Sequence, residues 1–259
     1  MCPPDYFDIK YSINPWMNTK ENVSRNKRIQ WETLKETFEK LNVQIKLLKP
    51  QKRFPDMVYV DIGIVYKNNF IPSNFRYKER QGERKYAVDW FKKHGYKIIE
   101  IEKDFYFEGH GDTLWAGDKL FFGYGFRSSM EAQKQVEKIL KKINPKIEII
   151  PIELIDPRFY HLDTCFCPLN SKQALYFPGA FSPKAKKMLT KNIELIPVSE
   201  KEAKKFACNA VVINKDILIP ADANFIYKKL KKLGYKIHPI EMTEFIKGGG
   251  ACKCLSFVM

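Results

Sequence analysis

The chain has 259 residues, of which 44% are hydrophobic, and this is enough for the core of one large domain or two small ones. Its net charge of +15 rests on 45 basic residues, but only 8 are arginines, and the 37 lysines are spread through every amphipathic segment. Base readout and planar phosphate recognition favour arginine, so the composition argues against a specific nucleic-acid partner. No apolar run is long enough to span a bilayer and we find no charged-then-apolar leader, which predicts a cytoplasmic protein without a membrane partner.

The cysteine pattern argues against a disulfide framework and against a metal site. Six cysteines occur, at positions 2, 165, 167, 208, 252 and 254. In an intracellular setting they are expected to be free thiols. The two Cys-x-Cys pairs are spaced more closely than the ligands of a zinc knuckle, and no nearby histidine pair completes a site. We therefore expect no metal and no organic cofactor.

The N-terminal segment alternates over Tyr6–Ile13 like a short strand and then breaks at Asn14–Met17. An aromatic residue and a methionine in a proline-containing loop suit either core cover or a lid over an active site. Asn14 in this loop is predicted to contact a substrate.

Helical periodicity then recurs five times, and an apolar strand follows each helix. The predicted helices are Ile29–Leu41, Glu83–His94, a helix from Ser128 or Ser129 with Glu131 placed for a capping box, Pro183–Thr190 and Ala223–Leu233. The strands that follow them are Val43–Leu48, Tyr96–Ile101, Lys146–Leu154, Ile193–Val198 and Tyr235–Ile240.

A further strand segment completes each of the five units. These segments are Met57–Tyr66, Thr113–Gly125, Thr164–Phe177, Ala207–Ile219 and Ala251–Met259. A recurrence at about 45–55 residues is typical of a propeller or solenoid rather than of a single sheet. We therefore predict one domain over residues 1–259, an α/β fold built as a five-bladed propeller of ββαβ-like units with pseudo-five-fold symmetry.

Functional side chains fall at equivalent places in these units. They are Asp61 in the first, Glu108 in the second, His161 and Asp163 in the third, and Cys254 in the fifth. In a closed ring the loops after the inner strands converge on one axis, where ligand sites are commonly built. Each residue also has a structural interpretation: a buried thiol, a satisfied histidine, a turn acid, or an aspartate that only orients the histidine.

The C-terminal stretch Lys247–Met259 contains three consecutive glycines followed by Cys252 and Cys254. Glycines let the backbone adopt conformations that a Cβ forbids and let a ligand approach closely. A thiol just beyond such a turn is a candidate nucleophile if a base and carboxylates come from elsewhere in the chain.

Five motifs together resemble the guanidino-group-modifying enzymes of the pentein superfamily, along the whole of residues 1–259. The motifs are Pro55–Asp61, Phe107–Asp112, Gly123–Arg127, Tyr160–Pro168 and Gly248–Ser256. The superfamily includes dimethylarginine dimethylaminohydrolases, arginine deiminases, arginine dihydrolases and amidinotransferases. The resemblance implies the pentein form of the propeller and a small guanidino compound as the substrate.

The resemblance also implies roles for individual residues. Cys254 is the nucleophile that forms a covalent thiouronium intermediate, His161 transfers protons, and Glu108 grips the guanidinium with Asp61 or Asp163. For the rest of the substrate it implies Arg127 and Arg80 at the carboxylate and Asp56 at the α-amino group. For Arg80 alone, an exposed salt bridge on a helix is the competing interpretation.

The resemblance leaves the reaction open between two hydrolyses. Arginine dihydrolases carry an asparagine in the strand where this chain has Asp61, although the segment is one residue shorter than in many relatives and its register is uncertain by one position. A carboxylate holds a cationic guanidinium better than a neutral urea product. This favours release of citrulline from arginine or methylarginine. One alternative is a dihydrolase that forms ornithine, ammonia and carbon dioxide. A second is an amidinotransferase, which the short chain disfavours. A third is a non-catalytic protein that binds polyanions.

Overall fold

The computed structural model describes residues 1–259 and contains twelve strands in four separate three-stranded sheets. In each sheet an antiparallel hairpin is followed, after an intervening segment that contains a helix, by a strand that pairs in parallel with the second strand of the hairpin. The strands are β1 Gly63–Tyr66, β2 Asn69–Pro72, β3 Lys97–Ile98, β4 Thr113–Ala116, β5 Lys119–Tyr124, β6 Glu148–Glu153, β7 Phe166–Pro168, β8 Gln173–Tyr176, β9 Glu194–Pro197, β10 Val211–Ile213, β11 Asp216–Pro220 and β12 Lys236–Ile240.

The helices cover the sheets and fill the connections. They are α1 Asn26–Lys40, α2 Lys78–Gln81, α3 Glu83–Lys93, α4 Gly109–Asp112, α5 Met130–Ile143, α6 Pro183–Asn192, α7 Glu200–Ala203, α8 Tyr227–Lys232 and α9 Thr243–Ile246. No helix is both long and apolar enough to cross a membrane.

The unit around β4, β5 and α5 illustrates how the sequence builds each repeat. Gly117 turns the hairpin with a left-handed φ of +64° that disfavours other residues. Ser129 then caps α5 by accepting a hydrogen bond from the Ala132 amide. The apolar face of α5, which includes Val136 and Leu140, is fully buried. The chain is thereby returned alongside β5, where β6 pairs in parallel.

The fifth predicted unit does not form a regular sheet. Residues 43–48 and 251–259 carry no strand, and neither does the predicted N-terminal strand over residues 6–13. Isolated backbone contacts replace a ladder: Leu48 N–H donates to Met1 O and Val60 N–H donates to Cys254 O. The observed fold is therefore mixed α/β with four small sheets that do not join into a closed barrel.

The predicted capping box at Ser128 and Glu131 is wrong. The helix begins one residue later, with Ser129 as its cap, because the hydroxyl of Ser128 donates instead to Asp112 Oδ2 at 2.6 Å. A capping box that was not predicted forms between Ser199 and Glu202 at the start of α7.

Candidate active site

Cys254 lies on a tight turn that Asn209 holds in place. Asn209 Oδ1 accepts hydrogen bonds from the backbone amides of Ala251, Lys253 and Cys254 at 3.0, 3.1 and 3.2 Å. Its Nδ2 lies 3.1 Å from Cys254 Sγ and donates to Asp163 O, also at 3.1 Å. The thiol in turn donates to Asp163 Oδ2 at 3.3 Å. One amide side chain thus positions the thiol beside a carboxylate.

The glycines before this turn are required by close approach. Gly249 has a φ of +91°, and a Cβ there would lie 2.8 Å from Asn14 Oδ1. A Cβ on Gly250 would lie 2.9 Å from the Cβ of Cys254 itself. The glycine run therefore brings the N-terminal loop and the thiol together at one place.

Glu108 and His161 form a buried pair in the same region. Glu108 Oε2 lies 2.8 Å from His161 Nε2 and accepts from Arg127 NH1 at 2.7 Å. Burial alone would raise the pKa of Glu108, but Arg127 and His161 outweigh it and lower the pKa below the ordinary range. Burial alone would likewise lower the pKa of His161, but the carboxylates of Asp112, Asp61 and Glu108 raise it. The pair therefore favours a carboxylate beside an imidazolium.

Asp112 holds the two residues of this pair in position through hydrogen bonds. Its Oδ1 accepts from the Leu162 amide at 3.1 Å and its Oδ2 accepts from the Ser128 hydroxyl. Ser128 Oγ also accepts from the Glu108 amide at 2.9 Å. Asp112 thus fastens the segments that carry Glu108 and His161 to each other.

Asp61 lies in the site and is held by Arg80. Its Oδ2 lies 2.9 Å from Arg80 NH1 and 3.9 Å from His161 Nδ1. The side chain of Asp61 therefore faces His161. Arg80 also donates to both oxygens of Glu83 and to two backbone carbonyls.

The structure therefore differs from the predicted placement of Arg80 at a substrate carboxylate. The Arg80 side chain is 3% exposed, and its donors are taken up inside the protein by Asp61, by Glu83 and by backbone carbonyls. The competing interpretation, an exposed salt bridge, is wrong, because both ion pairs of Arg80 are buried. The contacts make Arg80 a buried clamp on Asp61.

Replacing Arg80 by methionine should therefore destabilise the protein by about 3–5 kcal/mol, because Asp61 and Glu83 would be left buried without their cation. Urea unfolding followed by circular dichroism measures this. The matched control is Arg84→Met, which removes the half-exposed pair with Glu100 and should cost no more than about 1 kcal/mol. Equal costs for the two variants would contradict the assignment of Arg80 as a buried clamp.

A cavity of about 470 Å³ opens beside this cluster. Arg127, Asn14 and Tyr160 line it, together with Arg76 and Tyr77. Arg127 is stacked between the rings of Tyr77 and Tyr160, with its Cζ 4.7 and 4.5 Å from their centroids. Glu108, His161 and Cys254 are buried and do not line this cavity; Arg127 joins the two regions, because it lines the cavity and donates to Glu108.

The loop over residues 14–17 covers part of this cavity and is tethered on both sides. Asn14 Nδ2 donates to Gly248 O at 3.1 Å and its Oδ1 accepts from the Trp16 amide at 2.9 Å. The Trp16 indole N–H donates to Arg158 O at 2.6 Å. Asn14 therefore lines the cavity and ties the loop to the glycine run.

Asp56 is buried and lies outside the cavity walls. Its Oδ1 has no hydrogen-bond partner, and burial raises its pKa to about 6. Its backbone carbonyl accepts from Arg80, which places it in the layer behind Asp61. The structure therefore does not bring its carboxylate to the cavity, where an α-amino group would need it.

The thiol of Cys254 is protonated in this arrangement. Burial and then the nearby carboxylates of Asp163 and Asp61 raise the pKa of Cys254 well above its ordinary value. All six cysteines are free thiols and are buried. No group of three or more histidine, cysteine, aspartate or glutamate side chains is arranged to hold a metal ion. The cluster brings together the thiol of Cys254, the imidazole of His161 and the carboxyl groups of Asp61, Glu108, Asp112 and Asp163.

Sequence reasoning did not identify Asn209, Tyr160 or Arg76 as site residues. Asn209 follows Cys208 in an apolar run, which is interpreted as core. An asparagine within such a run is nevertheless a signal, because a buried polar side chain needs hydrogen-bond partners. Tyr160 donates to Gly249 O at 2.7 Å, a contact between residues 89 positions apart that no local pattern indicates.

Comparison with known proteins identifies the class. A sequence profile of the eukaryotic N,N-dimethylarginine dimethylhydrolase family matches residues 8–258. The bifunctional arginine dihydrolase/ornithine cyclodeaminase ArgZ of Synechocystis is 40% identical over 99% of this chain, which spans 37% of that relative's length. An N(G),N(G)-dimethylarginine dimethylaminohydrolase of Mycobacterium tuberculosis is 33% identical over 98% of this chain and 83% of its own.

The fold comparison agrees. A crystal structure of the substrate-bound N-terminal domain of ArgZ, with a cysteine replaced by serine, superposes with a TM-score of 0.93 at 40% identity, covering 99% of this chain and 96% of that domain. The chain thus belongs to the guanidino-group-modifying pentein superfamily. Within that superfamily it belongs to the N,N-dimethylarginine dimethylhydrolase family.

Proposed function

We propose that the protein hydrolyses the guanidino group of arginine or an Nω-methylated arginine and releases citrulline, with Cys254 as the nucleophile. The observation that carries the proposal is the thiol 3.3 Å from Asp163, in the same buried cluster as the Glu108–His161 pair. A planar guanidinium needs carboxylates that can accept its paired N–H groups, and its carbon needs a thiolate for attack.

In the proposed reaction the substrate guanidinium enters between Asp61, Asp163 and Glu108. Its positive charge offsets the carboxylates that keep Cys254 protonated, so substrate binding favours loss of the thiol proton to solvent and formation of the thiolate. An S–C bond then forms at the guanidino carbon, and the C–N bond to the leaving amine breaks as His161 donates its proton to that amine. Water next loses a proton to His161 and attacks the same carbon. The S–C bond breaks, and citrulline leaves.

The remaining substrate contacts are assigned from the cavity walls. Arg127 and Asn14 line the cavity and are proposed to meet the amino-acid end of the substrate. Arg80 is proposed to act through Asp61, which it orients. Asp56 can bind the α-amino group of the substrate only if Asp56 and Arg80, which lie behind Asp61, move when the substrate binds.

A single hydrolysis is proposed because Asp61 is a carboxylate. An anion beside His161 stabilises a cationic guanidinium more than the neutral ureido group of citrulline, so the first product is released. The second candidate is an arginine dihydrolase, which forms ornithine. The identities of 40% and 39% to ArgZ and to AgrE of Nostoc, both bifunctional arginine dihydrolase/ornithine cyclodeaminases, favour it.

The pH dependence of the reaction follows from Asp163. Burial and the neighbouring charge of Asp61 raise the pKa of Asp163 to about 7. Below that pH the carboxyl takes up a proton and no longer attracts the substrate cation, so kcat/KM should fall about tenfold per unit as the pH decreases. The carboxylates of Asp112, Asp61 and Glu108 raise the pKa of His161, which favours its protonated form in the same range.

Initial rates with arginine between pH 5 and pH 9 measure this acid limb. The control is Asp163→Asn, which should be slower at every pH and lack the limb. An Asp163→Asn variant with an unchanged acid limb would assign the titration to another carboxyl group.

Identification of the products by mass spectrometry tests the function itself. The protein is incubated separately with arginine and with asymmetric dimethylarginine. Citrulline from either supports the proposal and reveals which substrate is used, whereas ornithine supports the dihydrolase. No product from either, together with steeply salt-dependent binding to a polyanion, would favour the non-catalytic alternative.

We also propose that α1 and residues 43–48 and 251–259 form an irregular fifth blade. The support is their position: residues 251–255 pack with α1, β10 and β11 in one apolar cluster. The fold would then keep a pseudo-five-fold arrangement with one blade lacking a ladder.

A further inference from the structure

One buried cation near Cys254 has no carboxylate partner. The side chain of Lys253 is 8% exposed, and its ammonium lies 2.7 and 3.0 Å from the two ring nitrogens of His110. No carboxylate oxygen lies within 4.0 Å of this ammonium. The guanidinium groups of Arg80 and Arg127, in contrast, each pair directly with a site carboxylate. The charge of Lys253 is therefore not cancelled by a direct ion pair.

Lys253 is held close to the thiol but outside the substrate cavity. The backbone amides of Lys253 and Cys254 donate to the same oxygen of Asn209 at 3.1 and 3.2 Å. The Lys253 side chain lines a second, smaller cavity of about 250 Å³, in which His110 and Cys167 also lie. No residue of this cavity also lines the substrate cavity. Lys253 therefore lies where it can influence the site without touching the substrate.

The groups that face Lys253 are mostly acids. Burial is the largest effect on Lys253 and lowers its pKa. The opposing effects come from Asp163, Asp61 and the thiols of Cys254 and Cys167, which favour the charged ammonium. His110 is neutral because burial and then Lys253 itself lower the pKa of the imidazole. The charge of the Lys253 ammonium acts on Asp163 and Cys254 through the protein interior. Charges interact more strongly there than in water, because the dielectric constant is low.

We propose that Lys253 is a positioning residue for the reaction, whose ammonium supplies the fixed positive charge that opposes Asp163 and Asp61 at the Cys254 thiolate. The proposal rests on the proposed role of Cys254 as the nucleophile. The carboxylates of Asp163 and Asp61 disfavour the thiolate, and Arg80 and Arg127 are already paired with Asp61 and Glu108. Lys253 is the cation whose charge remains to offset them before a substrate arrives.

The test is the rate at which Cys254 is alkylated by iodoacetamide as a function of pH, with the modified peptide identified by mass spectrometry. Only the thiolate reacts, so the rate reports the thiolate fraction without requiring turnover. Loss of a nearby cation raises the pKa of a thiol by about one unit. Lys253→Met should therefore react about tenfold more slowly at each pH below the midpoint, and the alkaline limb of the dependence should move upward by the same amount.

Three variants separate charge from packing. Lys253→Arg keeps the charge and should restore most of the wild-type rate, and Lys253→Gln replaces Lys253→Met if the latter does not fold. Lys134→Met removes an exposed lysine of α5 and should leave alkylation unchanged. Equal alkylation rates in wild type and Lys253→Met, at equal melting temperature, would overturn the proposal. A slowed Lys253→Met alongside a fully active Cys254→Ala would instead support the charge effect and reject the proposed function.

Discussion

Replacing Cys254 by alanine should lower kcat for the guanidino substrate by about 10⁴-fold or more, because no other group in the cluster can attack the guanidino carbon. The fold should be retained. Alanine keeps the Cβ, and the turn is held through backbone amides that donate to Asn209 rather than through the thiol. Steady-state rates with arginine, together with a thermal melt, measure both effects.

Cys252→Ala is the matched control for this substitution. Cys252 is fully buried two residues away and belongs to the same segment, but its thiol makes no hydrogen bond to the site carboxylates. Its replacement should leave kcat within about twofold, with a small loss of stability from the removed sulfur. Activity in Cys254→Ala and its loss in Cys252→Ala would show that the wrong cysteine had been assigned.

Replacing Asp61 by asparagine should change the product. The neutral amide no longer prefers a cationic guanidinium over a ureido group, so citrulline can stay bound and undergo a second hydrolysis to ornithine, ammonia and carbon dioxide. The ratio of ornithine to citrulline should rise at least about tenfold, the effect of a change of about 1.4 kcal/mol in relative binding. Arg80 keeps both oxygens of Glu83, so the variant should fold.

The products of Asp61→Asn are measured by mass spectrometry over several hours, beside Asp163→Asn. Asp163→Asn removes a charge next to the thiol without changing the group that faces His161, so it should slow the reaction and still release citrulline. If both variants formed only citrulline, Asp61 would not determine the product. If the wild type formed ornithine, the dihydrolase candidate would replace the proposed one.

The regular units of the fold could be predicted because their signals are local. The candidate caps Ser128 and Ser129 and the helical period of α5 lie within one stretch of chain and agree with each other. The fifth unit could not be predicted, because its two halves lie at opposite ends of the chain. Residues 251–259 are predicted as a short apolar strand, but isolated contacts such as Val60 N–H to Cys254 O take the place of a ladder.

The same difference between local signals and long-range contacts applies to the site. Cys254, His161 and Glu108 could be identified from motifs whose residues are neighbours in sequence, and the structure brings these side chains into one buried cluster. The resemblance implies that Arg80 lies at the substrate carboxylate, yet nothing in the sequence shows that Asp61 and Glu83 occupy its donors. Asn209 was missed for a related reason: its contacts to the Cys254 turn span more than forty residues.

Trapping the covalent intermediate tests directly whether Cys254 is the nucleophile. The protein is mixed with excess arginine, quenched in acid during steady-state turnover and digested, and the peptide that contains Cys254 is examined by mass spectrometry. We predict an adduct on Cys254 with the mass of arginine less ammonia, absent from Cys254→Ala. Turnover to citrulline with no adduct on Cys254, or with an adduct on another residue, would contradict the account.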